Sequence, residues 1–185
     1  MEWVVVGAIV LIVLYVIFIY NRLVSLRQTV SQSWSDISVQ LKQRHDLVPN
    51  LVETVKGYAA HERGTLDAVV KARNAAVAAS GPADQAKAEN MLTGALRQLF
   101  ALSEAYPDLK ANQNFLSLQS ELSDIENKIA AARRFFNNAV SEYNAAIQQF
   151  PAVMIAGPLG FGERAFFDLD EGERAAFEAT QQVKF

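Results

Sequence analysis

The chain has 185 residues and a mass of 20.4 kDa, enough for one modest domain with an appendage and too few for two full enzyme domains. Seventeen basic against twenty acidic residues leave a net charge of −3, which removes the basic excess that sequence-independent nucleic-acid binding needs. There is no cysteine, so disulfides, thiolate metal sites and thiol nucleophiles are excluded, and imidazole chemistry is confined to His45 and His61.

The first element is residues 3–20, WVVVGAIVLIVLYVIFIY, eighteen residues without a charge. As a helix it spans about 27 Å, close to a hydrocarbon core of about 30 Å. Trp3 at one end, with Tyr15 and Tyr20 toward the other, matches the aromatic enrichment of membrane interfaces. A cleaved signal peptide wants a basic leader and a small-residue cleavage site. The leader here is Met1-Glu2 and the exit is Tyr20-Asn21-Arg22, so residues 1–21 read as an uncleaved transmembrane anchor. Arg22 and Arg27 flank the downstream end as membrane-proximal basic residues, each worth about 1 kcal/mol against anionic headgroups. The positive-inside rule then expects the N-terminus outside and the long C-terminal part in the cytoplasm, on a single-pass cell-membrane protein. Lys42 and Arg44, farther along, read as solvated or paired.

Residues 22–150 carry a 3-4 alternation of apolar positions in four segments, the period of helices packed at shallow angles. The first runs through Leu23, Val30, Trp34 and Leu41, the second from Val48 to Ala76, the third from Ala88 to Tyr106 and the fourth from Phe115 to Phe150. Ser80-Gly81-Pro82 and Tyr106-Pro107-Asp108 each stop one helix and start the next. In Asp46-Leu47-Val48-Pro49, Asp46 is placed to cap a new helix with Pro49 in its first turn. A break near residues 43–48 is therefore expected in preference to one long kinked helix, because a bundle needs its first two stripes to face each other. The fold expected is all-α: an N-terminal transmembrane helix extending into an antiparallel four-helix bundle, with an irregular C-terminal tail. The Ala-rich stripes imply close helix approach and no large ligand pocket.

Residues 151–185 form that tail. It holds the loop Gly157-Pro158-Leu159-Gly160-Phe161-Gly162 and, after Asp170, a short helix with Asp170 and Glu173 spaced as a capping box. Its net charge is −3 and that of residues 21–80 is +3, which suggests a tail docked on the basic first half or on a neighbouring chain, with a loosely ordered tail as the alternative.

No complete catalytic motif emerges. A di-iron bundle needs Glu-x-x-His pairs, and there are none. His61-Glu62-Arg63-Gly64-Thr65 begins like H-E-x-x-H, but Thr65 stands where the second imidazole must be. P-loop, dinucleotide-binding and G-x-S-x-G patterns are absent as well. What remains is polar residues in or beside the stripes: Glu62, Arg73, Glu104, Glu126, Arg133, Asn137 and Asn144. Each reads either as a flank residue whose stem covers the core or as a member of an interhelical polar network; Glu62 is expected in a buried pair with an arginine.

Three blocks resemble the LemA family. The first is the anchor with Tyr20-Asn21-Arg22-Leu23-Val24, then Arg44-His45-Asp46-Leu47-Val48-Pro49-Asn50-Leu51-Val52 and Lys56-Gly57-Tyr58-Ala59-Ala60-His61-Glu62. The second is Glu104-Ala105-Tyr106-Pro107-Asp108-Leu109-Lys110-Ala111-Asn112, and the third runs from Glu126 through Arg133-Arg134-Phe135-Phe136-Asn137 to Tyr143-Asn144 and Phe150-Pro151. The resemblance implies a single-span bacterial membrane protein with an antiparallel helical domain and no established catalytic activity. Relatives at magnetosome membranes bring membrane organisation among the implied roles. It carries over Asp46, Pro49, Asn50, Glu62, Arg73, Glu104, Tyr106, Pro107, Glu126, Arg133, Asn137 and Asn144, in structural more than catalytic roles. Phe136 departs from the family, where tyrosine is common, so a hydroxyl hydrogen bond there is lost. The function expected is a non-enzymatic, membrane-anchored scaffold or interaction protein that self-associates, with membrane lipid and an unidentified protein as partners and neither cofactor nor nucleic acid. A membrane-tethered ligand sensor and a membrane-remodelling protein are the alternatives.

Overall fold

A computed structural model describes residues 1–168; the helix expected after Asp170 lies outside them. Among the described residues six helices follow one another: α1 (Glu2–Lys56), α2 (Arg63–Ala78), α3 (Pro82–Ser103), α4 (Pro107–Lys110), α5 (Gln113–Gln148) and α6 (Ala152–Ala156). There is no strand among the described residues, in keeping with the all-α expectation. The helices pack into two compact units, one of residues 1–37 with 132–165, the other of residues 38–131 with the described residues from Phe166 onward.

In the second unit the end of α1, α2, α3 and the start of α5 share a core. Val48, Leu51 and Val55 of α1, Leu66 and Val69 of α2, Leu92 and Leu99 of α3, and Phe115 and Leu122 of α5 all lie in it. Each such side chain contributes about 1.5–3 kcal/mol of burial. Gly81, with φ of 81°, supplies the left-handed step that lets Pro82 open α3 as its first residue. The restart after Tyr106 is a single turn, α4. Asn112 then caps α5, its Oδ1 accepting the Phe115 N–H at 3.0 Å while its Nδ2 donates to the Tyr58 hydroxyl at 2.9 Å.

The break expected near residues 43–48 is not there. Helix α1 continues through Pro49 to Lys56, and the chain reverses at Gly57–Glu62 instead, so the stripe read as one helix from Val48 to Ala76 is divided between α1 and α2. The physical reason is visible at His45. Proline has no N–H to give the carbonyl four residues back, so the His45 carbonyl loses its helical donor. Arg73 of α2 takes that place, its Nε donating to the His45 oxygen at 3.3 Å. The core residues Val48, Leu51, Val52 and Val55 hold the helix on either side of the proline.

In the first unit, α1 and the last part of α5 pack through Leu23, Val30 and Phe136, with the half-buried Trp34 ring 5.4 Å from that of Phe136. Ser33, buried in mid-helix, donates its hydroxyl to the Thr29 carbonyl at 2.6 Å and so needs no partner elsewhere. The N-terminal part of α1 is long and apolar enough to cross a membrane, and of its first twenty residues all are exposed except Ile19.

Arg73→Leu is expected to lower stability to denaturant by about 1 kcal/mol. The same substitution in a Pro49→Ala background should cost little, because the alanine N–H then serves the His45 carbonyl. Equal costs in both backgrounds of this double-mutant cycle would mean that Arg73 acts otherwise.

Candidate functional site

The most buried polar group in the second unit is Glu89 of α3, at 0% exposure. A carboxylate in such a place requires donors on both oxygens. Its Oε2 accepts from Arg44 Nη1 at 3.2 Å; its Oε1 accepts from His45 Nε2 at 2.6 Å and from Gln85 Nε2 at 2.9 Å. An ionised carboxylate only accepts, so the imidazole carries its hydrogen on Nε2. Arg44 Nη2 also donates to the Thr93 hydroxyl at 2.8 Å, and Gln85 Nε2 is shared with the Ala76 carbonyl of α2 at 2.9 Å. Consecutive residues of α1 and a residue one turn back on α3 thus meet at one carboxylate, and Gln85 links it to the backbone of α2. His45 is held twice, by its ring to α3 and by its carbonyl to Arg73.

Clefts open beside the network. One, of about 340 Å³, is bounded by His45, Asp46, Arg73 and Gln85; another, of about 230 Å³, by Arg44, Arg97, Phe100 and Glu126. Among the described residues no three His, Asp or Glu side chains gather as a metal site. The hydrogen bonds of the network run among its own members and the adjacent backbone, an arrangement that fixes helix register.

The polar residues singled out in the sequence fall into separate places. Glu62 and Tyr106 do meet, the Tyr106 hydroxyl donating to Glu62 Oε1 at 3.1 Å. This corrects the expectation of a Glu62–arginine pair: Glu62 precedes the first turn of α2, half-buried, and the group presented to it is a phenol. That hydrogen bond, with the cost of burial and the nearby negative charge, holds the Tyr106 phenol above its ordinary pKa of 10.0. Arg73 joins the network through the His45 carbonyl. Glu104 pairs at the surface with Lys110. Asp46, Asn50 and Glu126 are exposed, Asp46 and Glu126 on the rims of the clefts. Arg133, Asn137 and Asn144 belong to the first unit, half-buried on α5.

Asn144 clamps the chain beyond α6: its Nδ2 donates to the Arg164 carbonyl at 3.0 Å, and its Oδ1 accepts the Arg164 N–H at 2.9 Å. Phe161, buried, sets its ring edge-on to Tyr20 with centroids 5.6 Å apart. The Arg27 guanidinium lies 4.9 Å from the Phe161 centroid. Within the described residues, the tail therefore docks on its own chain through an aromatic contact, a cation–π contact and the Asn144 clamp. Of the two membrane-proximal arginines, Arg27 is engaged in this contact and Arg22 is exposed.

The buried network was legible in part. Gln85, Glu89 and Thr93 recur every four residues on one face of α3, and Arg44-His45 is a donor pair ready to meet them. That polar ladder runs beside the Ala88–Leu92 stripe and is hidden by it when apolar positions alone are followed.

The fold and site define an all-α protein in which one helix combines a membrane-span candidate with donors to a buried carboxylate. Residues 33–185 match the LemA family model, and the chain belongs to the LemA family. It is 27% identical over 165 residues to Protein LemA of Metamycoplasma hominis, covering 87% of this chain and 74% of that one. It is 26% identical over 174 residues to Magnetosome protein MamQ of Magnetospirillum gryphiswaldense, covering 80% of this chain and 64% of that protein's length. A second magnetosome relative, MamQ 2 of Paramagnetospirillum magneticum, is 25% identical over the same shares.

Two outcomes follow from this geometry. Glu89→Gln leaves the Arg44 charge buried without its counter-ion and is expected to cost about 3–5 kcal/mol in denaturant unfolding, much of it restored by adding Arg44→Met. Because the folded state holds the Tyr106 proton more tightly than the unfolded one, that contribution to stability is complete below about pH 10 and is lost as pH rises through the folded value. Stability measured from pH 9 to 12 should fall more steeply for the native chain than for Tyr106→Phe, and identical slopes would contradict the assignment.

Proposed function

We propose that this protein is a non-enzymatic, membrane-anchored helical scaffold, with its helical domain on the cytoplasmic side and self-association as part of its role. The observation that carries the reading is the unbroken α1, which joins an apolar span to Arg44 and His45 at the Glu89 carboxylate. A polar core of that kind gives stiffness and register, the properties a tether or assembly platform needs. The names of the relatives specify no reaction, and two of them are magnetosome proteins, which supports a role at a membrane. Self-association finds support in Phe135, a large aromatic residue of α5 that is 58% exposed beside the buried Phe136; such side chains anchor protein interfaces.

The test is molecular mass in mild detergent. The native chain should exceed a monomer, and Phe135→Glu should shift it toward one; a monomer across the accessible concentration range would defeat the assembly component.

A membrane-tethered ligand sensor is the second reading, favoured by the cleft of about 340 Å³ beside His45 and Arg73. It would show as ligand-dependent thermal stabilisation, absent for a pure scaffold.

A further inference from the structure

The exit of the apolar span is already covered on one side. Ile19, inside the charge-free run, is buried, and the Phe161 ring rests on Tyr20, the last residue of that run. The guanidinium of Arg27, two turns farther on, lies 4.9 Å from the centroid of the same ring. The segment carrying Phe161 is thereby fixed at the depth where the hydrocarbon would end, if residues 3–20 cross a bilayer.

The composition of that segment suits such a depth. From Tyr143 to Gly162 the chain has no charged side chain, a twenty-residue run. Inside it Phe150 is 80% exposed, Met154 67%, Val153 51% and Leu159 43%. These four come from α6 and the turns on either side, so large apolar groups are concentrated on a surface that water would otherwise cover. The first charged residues beyond are drawn back toward α5: Glu163 accepts from Gln148 Nε2 at 2.7 Å, and the Arg164 backbone is paired with Asn144.

A lipid surface is the occupant these observations select. The segment that carries these residues is tied to the end of the span by the Phe161–Tyr20 contact, and from 143 to 162 it has no charged side chain for a polar partner to match. We propose that α6 and the loop after it, residues 150–161, enter the interfacial layer of the same bilayer that holds the anchor, with Phe150, Val153, Met154 and Leu159 inserted among the acyl chain ends. The proposal rests on the reading of residues 3–20 as a membrane span. It adds a second point of attachment, which would fix the rotation and tilt of α1 in the membrane where a lone helix leaves both free.

The absence of cysteine makes the test clean. Three single variants of the full chain, Met154→Cys, Asn138→Cys on the exposed face of α5 and Ile12→Cys in the anchor, are spin-labelled and reconstituted in vesicles of phosphatidylcholine and phosphatidylglycerol. Collision of each label with oxygen, which concentrates in lipid, is compared with collision with a water-soluble nickel chelate. The expected result is an oxygen-to-chelate ratio severalfold higher at positions 154 and 12 than at 138. A ratio at 154 equal to that at 138, with position 12 still in lipid, overturns the second attachment alone. Low collision with both reagents at 154, the sign of a second chain over the patch, overturns it equally. Free access of the chelate to position 12 overturns the span and the proposal together. Leu159→Cys repeats the measurement at a second site, so that a local disturbance at 154 does not decide the outcome.

Discussion

A proline inside a helix strands one carbonyl, and the second unit of this protein depends on how that carbonyl is satisfied. At His45 the missing donor is replaced by Arg73 from the neighbouring helix, while the imidazole of the same residue binds the buried Glu89 carboxylate. One residue of α1 therefore sets its register against both α2 and α3. Arg44 supplies the compensating charge, and Gln85 ties α3 to the α2 backbone. The bonds from Arg44, His45 and Gln85 to Glu89 meet a carboxylate with no exposed surface, where water cannot replace a missing donor, so a slipped register would leave that carboxylate unpaired.

Much of this was legible in the residues. The uncharged run at 3–20, the stops at Gly81-Pro82 and Pro107, and the long stripe of α5 each follow from local rules of hydropathy, capping and period. Pro49 misled because local chemistry favours a helix start after Asp46, whereas the compensating donor lies 24 residues further along the chain at Arg73. Glu62 misled for a related reason: its apolar spacing with Val55, Tyr58 and Val69 continues across a turn, so periodicity placed it inside a helix that begins only at Arg63. The Tyr106 partner comes from the α3–α4 turn, and no spacing rule joins two such distant turns.

The two units call for different chemistry. In the second, polar groups are taken out of water and matched to one another. In the first, apolar and aromatic groups gather where the charge-free run ends, Ile19, Tyr20 and Phe161 with the Arg27 guanidinium against the Phe161 ring, and Asn144 and Gln148 restrain the chain that follows.

Helix α1 runs unbroken past Pro49, and a distance across the proline tests that directly. Spin labels placed at Val39→Cys and Lys56→Cys, both exposed positions of α1, bracket it within the full chain. In an unbroken helix seventeen residue steps separate them, giving a backbone separation of about 26 Å at about 1.5 Å per residue. A narrow distribution consistent with that separation, once the reach of the labels is included, is the result the account requires. A population centred well below 20 Å, as a reversal of the chain before Pro49 would give at about 1.5 Å of rise per residue, would contradict it.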